Sequence, residues 1–410
     1  IDITNLLVYN KDSINVLSVK VDNRYNNNVA PLSGDCTFWG GIYRNVYFIE
    51  LPPIHFSMND HGSKGIFIET PEVSSKSSFV HVKSEITNDG FSNKSVKIES
   101  VITDEKGEII QTFSTKAKLP AGKKSEINMF SKKILFPHLW SPEDPYLYHL
   151  EVNIFDLKTG NLLDKVMNPL GFRWYSVNSE RGFLLNGNPI KLIGACRHQD
   201  YLGLGNALSK DLNVRDIQLL KDMGANFIRI AHYPQDPSVL DACDKLGIIA
   251  WEEIPIVNEI NTTRDFYENC KNNLIEMIRQ NFNHPSILIW SYCNEVLLGG
   301  RNTKQEYRDS LVEFLRQMES IVHKEDPARI TSIALHASPI YDQCGVSAIP
   351  MTVGWNRYDG LGTGHLQDFT TFLNQEQLQH PSRPIFISEY GAGSDARIHN
   401  LNPQKCDYSI

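Results

Sequence analysis

The pattern of hydrophobic and polar residues along the chain changes near residue 175. Before that point, short runs such as residues 96–102 and 146–154 alternate apolar and polar side chains, as half-buried β-strands do. Turn sequences such as Asn-Asp-Gly at 88–90 separate these runs. About a hundred residues of short strands at this spacing predict a β-sandwich of immunoglobulin type over residues 71–175.

The residues before this sandwich have a similar texture. Residues 14–21, with the sequence INVLSVKV, combine β-branched residues with alternation and predict another strand. Residues 1–70 are therefore expected to belong to a further β-domain.

After residue 175, apolar runs alternate with amphipathic stretches of helical period. Residues 212–223, 266–281 and 311–323 are the clearest predicted helices. Repeated βα units predict a parallel sheet with helices around it. The strand-like runs cover residues 191–195, 226–230, 248–251, 287–291, 330–334, 352–355 and 385–388.

Seven such strands over about 220 residues fit a (β/α)₈ TIM barrel better than an open doubly wound sheet. No Gly-x-Gly-x-x-Gly sequence follows any of the runs, which weakens the dinucleotide-binding alternative. Few residues follow Ser388, so the eighth strand is expected to lie outside the chain. The predicted fold is multidomain, with β-sandwich domains followed by a TIM barrel over residues 176–410, incomplete at both ends.

Composition and charge exclude several classes of function. The 410 residues carry a formal net charge of −8, which disfavours binding to nucleic acid or to an anionic membrane. No apolar run is long enough for a transmembrane helix.

The seven cysteines form no Cys-x-x-Cys pair, so they predict isolated thiols rather than a zinc site. The chain opens at Ile1 without a visible signal peptide, so we expect a periplasmic or secreted protein if one was removed and a cytoplasmic protein otherwise.

Two carboxylates follow directly after buried strands of the predicted barrel. Residues 287–291 lead into Asn294 and Glu295, and residues 385–388 lead into Glu389. Catalytic residues of such barrels lie where strands end, and glycoside hydrolysis needs two carboxyl groups, one protonated and one ionised. Either glutamate alone is equally well explained as a solvated residue or an ion-pair partner, but the pair favours catalysis.

The sequences around both glutamates resemble a known family. The segment NHPSILIWSYCNE at 283–295 closely resembles the acid/base signature of glycoside hydrolase family 2, and ISEYGA at 387–392 resembles its nucleophile segment. The resemblance implies a jelly-roll sugar-binding domain, an immunoglobulin-like sandwich and a catalytic barrel, in that order. Residues 1–70 would then be the C-terminal part of the jelly roll, whose end the segment DCTFWGGIYRNV at 35–46 resembles.

The resemblance implies a retaining mechanism with Glu389 as nucleophile and Glu295 as acid/base. Asn294 would hydrogen-bond the 2-hydroxyl of the sugar, Tyr358 would hold Glu389, and the charge of Arg229 would keep Glu389 ionised. Each residue also has a purely structural explanation. Asn294 could be a turn residue at the strand end, Tyr358 an aromatic at the barrel rim, and Arg229 part of an ion pair within the barrel wall.

The segments RHQD at 197–200 and AHYP at 231–234 most resemble the β-galactosidase pattern. The resemblance implies that His198 and His232 contact the sugar, the alternative being structural histidines. Arg229 and His232 are three residues apart, so both face the site only if the strand ends or bulges between them. Asp35 matches a family aspartate that reaches the sugar from the jelly roll, although a turn-forming aspartate is equally consistent.

These observations predict a retaining exo-β-glycosidase that hydrolyses terminal β-D-galactose residues, so the expected partner is a β-galactoside or related glycan. A β-glucuronidase is the alternative within the family, because its Asn-x-Lys motif would lie beyond this chain. A non-catalytic carbohydrate-binding protein is the alternative from another class. No cofactor is predicted, and no metal, because the stretch IVNE at 256–259 lacks the His of the Glu-x-His pair found in some β-galactosidases. Homo-oligomerisation is left open.

Overall fold

In the part of the chain that the structure describes, a β-sandwich precedes a parallel sheet surrounded by helices. Every helix in that part is too short or too polar to span a lipid bilayer. The structure is a computed structural model and describes residues 1–10, 12–34, 36–299, 304–360 and 364–391.

The strand expected over residues 14–21 is not formed. The described residues before position 54 contain one turn of 3₁₀ helix at Thr4–Leu6 and no strand. Ile14 and Val16 are 89% and 83% exposed. A strand needs a neighbour for its backbone N–H and C=O groups, and no described strand pairs with this segment. The prediction of a jelly-roll end, made for residues 1–70, stays a prediction for the residues before Ile54.

The strands of the sandwich are β1 (Ile54–Phe56), β2 (Ile66–Glu69), β3 (Ser77–Ser78), β4 (His81–Asn88), β5 (Lys94–Thr103), β6 (Ile109–Leu119), β7 (Lys123–Phe130), β8 (Ile134–Leu135), β9 (Tyr148–Asp156) and β10 (Leu162–Leu170). They form two main sheets, in the orders β1-β4-β2, with β7 paired to β4, and β10-β9-β5-β6. Residues at every second position of β5, including Val96, Ile98 and Ile102, are fully buried, so the alternation in the sequence does mark a strand with one face in the core.

The sandwich begins earlier than residue 71, where the sequence placed its start. Strands β1 and β2 both pair with β4, and Ile54, Phe56 and Ile66 are buried in the same core as the later strands. Strands in one hydrophobic core belong to one folding unit, so the turn after residue 69 lies within the sandwich.

The barrel portion begins with a short antiparallel sheet of β11 (Tyr175–Asn178), β12 (Gly182–Leu185) and β13 (Asn188–Pro189). Phe183 and Leu185 of this sheet pack against Trp140 and against residues near the starts of the barrel strands, such as Ile249 and Leu288. This small sheet therefore covers the end of the barrel opposite to the one where the strands end.

Seven parallel strands form one sheet in chain order. Cys196 in the first strand donates from Sγ to the carbonyl oxygen of Ser388 in the last at 3.3 Å, so the sheet curves until its two outer strands meet. The strands are β14 (Gly194–Arg197), β15 (Phe227–Ile230), β16 (Ile249–Glu253), β17 (Ile287–Asn294), β18 (Ile330–His336), β19 (Thr352–Arg357) and β20 (Ile385–Tyr390). They coincide with the seven predicted runs within a few residues.

Helices cover the outside of this sheet. Along β18, Ile330 and Ala334 pack in the barrel interior, whereas Ile333 and Leu335 pack against the helices. The helices are α1 (Lys210–Asp222), α2 (Pro237–Leu246), α3 (Arg264–Asn281), α4 (Gln305–Glu325), α5 (Ile340–Gln343) and α6 (Leu366–Gln379), and a 3₁₀ turn spans Val346–Ala348. Of these, α2, α5 and α6 were not predicted.

The side chains of Asn283, just before β17, and of Trp140 fix the sandwich to the barrel. Asn283 donates to the carbonyl oxygen of Ile66 at 2.8 Å and accepts from the backbone N–H of Ile68 at 2.9 Å. Trp140, which is fully buried, donates from Nε1 to the carbonyl oxygen of Asp244 at 2.9 Å. The strand that carries Asn294 is therefore held from outside the barrel.

Arg329 is the buried cation that fastens the start of β17 to the start of β18. Its guanidinium donates to the backbone carbonyls of Ile287, Phe282 and His284 at 2.8, 2.6 and 3.0 Å and pairs with Asp326 at 2.5 Å. Burial raises the pKa of Asp326, but the charge of Arg329 outweighs this effect and lowers it.

Replacing Arg329 with Met is expected to destabilise the protein by about 3 kcal/mol, because it leaves Asp326 buried without its counter-ion. The measurement is the midpoint of urea unfolding. Arg181→Met, at an exposed position, is the matched control and is expected to change stability by less than about 0.5 kcal/mol. Equal midpoints for the two variants would contradict this account of Arg329.

Candidate active site

Arg229 lies at the centre of the polar groups where the barrel strands end. Its buried guanidinium donates to the two oxygens of Glu253 at 2.9 and 3.1 Å, to Glu389 Oε1 at 2.5 Å and to Asn294 Oδ1 at 3.0 Å. Burial disfavours the charged form, but the carboxylates of Glu253 and Glu389 outweigh it and raise the pKa of Arg229. One cation therefore joins side chains from β15, β16, β17 and β20.

Glu253 is a member of this site that sequence reasoning did not single out. It is fully buried and also accepts hydrogen bonds from Trp251 Nε1 at 2.9 Å and from His232 Nδ1 at 2.6 Å. Burial raises the pKa of Glu253, but Arg229 and His232 outweigh it and lower the value to about 2. The alternation along β16 could have revealed Glu253 from the sequence, because it places Trp251 and Glu253 on the interior face of the strand and Glu252 on the other face.

Glu252 points away from the site, towards the helices. Asn281 at the end of α3 donates from Nδ2, 3.0 Å from each carboxyl oxygen of Glu252. Burial without a directly paired cation raises the pKa of Glu252 to about 7. Adjacent acids in one strand thus have opposite environments, and only Glu253 belongs to the candidate site.

His232 faces the same site as Arg229 because β15 ends at Ile230, between the two residues. The 2.6 Å contact with Glu253 assigns the Nδ1 proton of His232 to that carboxylate. Nε2 lies 3.8 Å from Oε1 of Glu389 and is the nitrogen directed at the second carboxyl group. Arg229 and His232 were expected to face the site together only if the strand ended or bulged between them, and the strand does end there.

His198 lies beside His232, with the ring centroids 5.3 Å apart in an edge-to-face arrangement. Its Nδ1 is 3.4 Å from the hydroxyl of Tyr233. The structure therefore brings the two histidines together at the edge of the Arg229 cluster.

Glu389 lies at the end of β20, and both of its carboxyl oxygens accept a hydrogen bond. Arg229 donates to Oε1 at 2.5 Å, and the Tyr358 hydroxyl donates to Oε2 at 2.7 Å. Burial and the neighbouring Glu389 carboxylate raise the pKa of Tyr358, so its hydroxyl keeps the proton that it donates. The position expected for Tyr358, beside Glu389, is observed.

Glu295 follows β17 and has a left-handed backbone conformation with φ of 53°. Its backbone N–H donates to the carbonyl oxygen of Ala334 at 2.8 Å, and its Oε1 accepts from Asn356 Nδ2 at 2.9 Å. Burial is the main cause that raises the pKa of Glu295, and the charge of Glu389 adds to it. The two glutamates therefore lie near enough to interact, in different surroundings.

The side-chain oxygen of Asn294 accepts from Arg229 at 3.0 Å and from Asn356 at 3.1 Å. Asn356 is itself oriented by the hydroxyl of Ser388, which donates to its Oδ1 at 2.7 Å. Both donors use the oxygen of Asn294, so among the residues that the structure describes its Nδ2 group is available to donate to a ligand. Asn356 connects Asn294 with Glu295 and is a further residue whose role the sequence did not reveal.

One predicted site residue and one residue of the RHQD segment are not part of this cluster as described. Asp35 lies outside the described residues. Arg197, from the RHQD segment, turns away from the site to Asp216 at 2.7 Å and to Asn213 at 2.8 Å. Of that segment, only His198 is observed beside the cluster.

One group of possible metal ligands occurs among the described residues: Asp342, Glu376 and His380, whose ligand atoms lie within 4.8 Å of one another. Arg383 already pairs with Asp342 at 2.8 Å and with Glu376 at 3.3 Å. The group therefore has a cation of its own and lies on the side of α5 and α6, away from Arg229.

Comparison with family models assigns most of the chain. Residues 177–401 match the TIM barrel domain of glycosyl hydrolases family 2, and residues 64–173 match a further domain described as glycosyl hydrolases family 2. The two matches follow the order of the sandwich and the parallel sheet along the chain.

The proteins that are similar to the chain include some named β-glucuronidase and some named β-galactosidase. A β-glucuronidase of Bacteroides fragilis is 34% identical over 96% of this chain and 55% of its own length. The crystal structure of Bacteroides uniformis β-glucuronidase is 42% identical with a TM-score of 0.92, over 95% of this chain and 47% of that one. The β-galactosidase BoGH2A of Bacteroides ovatus is 33% identical over 70% of this chain and 33% of its own length.

The chain thus spans about half the length of the two β-glucuronidases. Because the two family-model matches together cover most of the chain, the chain belongs to glycosyl hydrolase family 2.

Proposed function

We propose that the full-length protein is a retaining exo-β-glycosidase that releases terminal β-D-glucuronic acid, with β-D-galactosides as the second candidate substrates. The observation that carries the glycosidase proposal is the contrast between two neighbouring carboxyl groups. Burial raises the pKa of Glu295 and favours its protonated form, whereas both oxygens of Glu389 accept hydrogen bonds, one of them from a guanidinium. One acid and one carboxylate are what a glycosidase requires.

In the proposed first step, Glu389 attacks the anomeric carbon while Glu295 gives its proton to the departing glycosidic oxygen. The bond from carbon to that oxygen breaks, the aglycone leaves as an alcohol, and a covalent glycosyl-enzyme forms. In the second step, Glu295 takes a proton from water, whose oxygen attacks the anomeric carbon and releases Glu389. Two displacements give net retention of configuration.

The neighbouring residues have supporting roles in this proposal. Arg229 and Tyr358 hold Glu389 by both oxygens, which fixes the direction of attack. The Nδ2 group of Asn294 donates to the 2-hydroxyl of the sugar, a contact that strengthens in the transition state. His198 and His232 line the side of the sugar near Glu389, and Asp35 would reach it from the N-terminal segment.

The glucuronide assignment is supported by the relatives. Both the Bacteroides fragilis relative and the Bacteroides uniformis structure, which align with nearly the whole chain, carry the name β-glucuronidase. The β-galactoside alternative is supported by the neighbouring pair of His198 and His232 and by the similarity to the Bacteroides ovatus β-galactosidase. A non-catalytic carbohydrate-binding role would not explain why two carboxyl groups, Glu295 and Glu389, lie near each other in different surroundings.

Replacing Glu389 with Gln is expected to lower kcat for an aryl β-glycoside by a factor on the order of 10⁴ or more, because the nucleophile is lost. Glu313→Gln, the same change at an exposed position of α4, is the matched control and should leave kcat unchanged. Hydrolysis by Glu389→Gln at the rate of the control would refute the assignment.

The pH dependence should reveal Glu295 as the acid. Its protonated form is required in the first step, so kcat/KM falls as pH rises through its raised pKa, which lies above the ordinary value of about 4.3. In Glu295→Ala this falling limb should vanish for a dinitrophenyl glycoside, whose leaving group needs no proton. A falling limb that persists unchanged in Glu295→Ala would assign the acid to another group.

Comparing p-nitrophenyl β-D-glucuronide with p-nitrophenyl β-D-galactoside tests the substrate. We expect kcat/KM to favour the glucuronide by about a hundredfold or more, because a site with a partner for the sugar carboxylate leaves that partner unpaired with galactose. The opposite ratio would establish the galactoside. Sugar binding without turnover of either substrate would favour the non-catalytic role.

A further inference from the structure

His336 is a half-buried imidazole at the mouth of the barrel that the proposed mechanism does not use. It is the last residue of β18, the strand between β17, which leads to Glu295, and β19, which carries Asn356. In the parallel ladder His336 pairs in register with Asn356, whose Nδ2 donates to Glu295. His336 thus belongs to the layer of residues that surrounds Glu295.

The alternation of β18 places His336 on the interior face. Ala334 packs with the interior cluster, whereas Ile333 and Leu335 pack on the outer side against the helices. Because side chains two positions apart share a face, His336 is directed towards the interior at the open end of the barrel.

A buried tyrosine contacts Nδ1 of this histidine. The hydroxyl of Tyr341 accepts a hydrogen bond from the backbone N–H of Leu297 at 3.2 Å, and we assign its own proton to Nδ1 of His336, 2.8 Å away. Nδ1 then accepts, and the neutral ring carries its proton on Nε2. Burial lowers the pKa of His336 and so favours this neutral form.

Glu295 lies close to this pair of residues. After burial itself, the nearby charges that raise the pKa of Tyr341 include the Glu295 carboxyl. Leu297, which Tyr341 holds, is only two residues beyond Glu295. Under the proposed mechanism the aglycone would lie where Glu295 can reach its glycosidic oxygen, and the end of β18 borders that position through Asn356.

We propose that His336 is a specificity-determining residue for the leaving group, donating from Nε2–H to a hydroxyl of a hydroxylated aglycone such as a second sugar or a polyol. The inference rests on the proposed glycosidase function and adds the chemical class of the aglycone. Tyr341 is a positioning residue that acts through His336. Substrates without an aglycone hydroxyl gain nothing from this contact.

Three substrates with the same sugar test the proposal in the full-length protein: a β-linked disaccharide, the phenyl β-glycoside and the β-glycosyl fluoride. For His336→Ala, kcat/KM on the disaccharide should fall about five- to tenfold, the effect of one hydrogen bond, and stay within about twofold on the other two. The glycosyl-enzyme contains no aglycone, so kcat should be unchanged wherever its hydrolysis is rate-limiting. His336→Gln, which keeps a donor, should recover most of the loss, and Tyr341→Phe should show a smaller loss confined to the disaccharide.

Equal losses on all three substrates would overturn the proposal, since a purely structural role predicts them. An unchanged kcat/KM on the disaccharide would do so too. If the wild-type protein hydrolyses none of the three, the proposed glycosidase function fails, an outcome distinct from a failure of the His336 assignment alone. If His336→Ala does not fold, the contrast between His336→Gln and Tyr341→Phe decides the question.

Discussion

The buried ion pair of Arg229 and Glu253 is the constraint on which the rest of the site depends. Removing both charges from water is expensive, and an incomplete set of partners would make the pair destabilising. Glu253 therefore accepts hydrogen bonds from Trp251 and His232 as well as from Arg229. With one side of the guanidinium held in this way, its remaining N–H groups are fixed in direction towards Glu389.

This fixed cation makes the two candidate catalytic carboxyl groups different. Glu389 contacts Arg229 directly, whereas the contact described for the side chain of Glu295 is the neutral amide of Asn356. Burial is then the largest influence on Glu295 and raises its pKa, although the Asn356 hydrogen bond opposes it. Different surroundings of two nearby carboxyl groups support different roles, with Glu295 as the proposed acid and Glu389 as the proposed nucleophile. The difference arises from which strand ends beside Arg229, not from the residue type.

The sequence predicted the seven strands, and the positions of Glu295 and Glu389 at strand ends, because both depend on local patterns, namely apolar runs and the polar residues directly after them. It missed Glu253 because an inward and an outward acid are adjacent there, and only the alternation counted from Trp251 separates them. It missed α2 although Asp236, Pro237 and Gly247 are ordinary cap residues for a helix. The strand predicted over residues 14–21 failed for a different reason, since strand formation depends on a partner that local sequence does not specify.

The same network bears on the choice of sugar. The histidine segments resemble β-galactosidases, yet Nδ1 of His232 is held by Glu253, within the buried pair, whichever sugar is bound. A histidine required by the charge network would be present in enzymes for either glycone, so it is weak evidence for galactose. Discrimination between a sugar carboxylate and a hydroxymethyl group needs a donor outside this network, because Arg229 already contacts Glu253, Glu389 and Asn294. Under the proposed function, bond breaking would therefore fall to the Arg229 network and substrate choice to residues outside it, and the names of the relatives carry the glucuronide proposal.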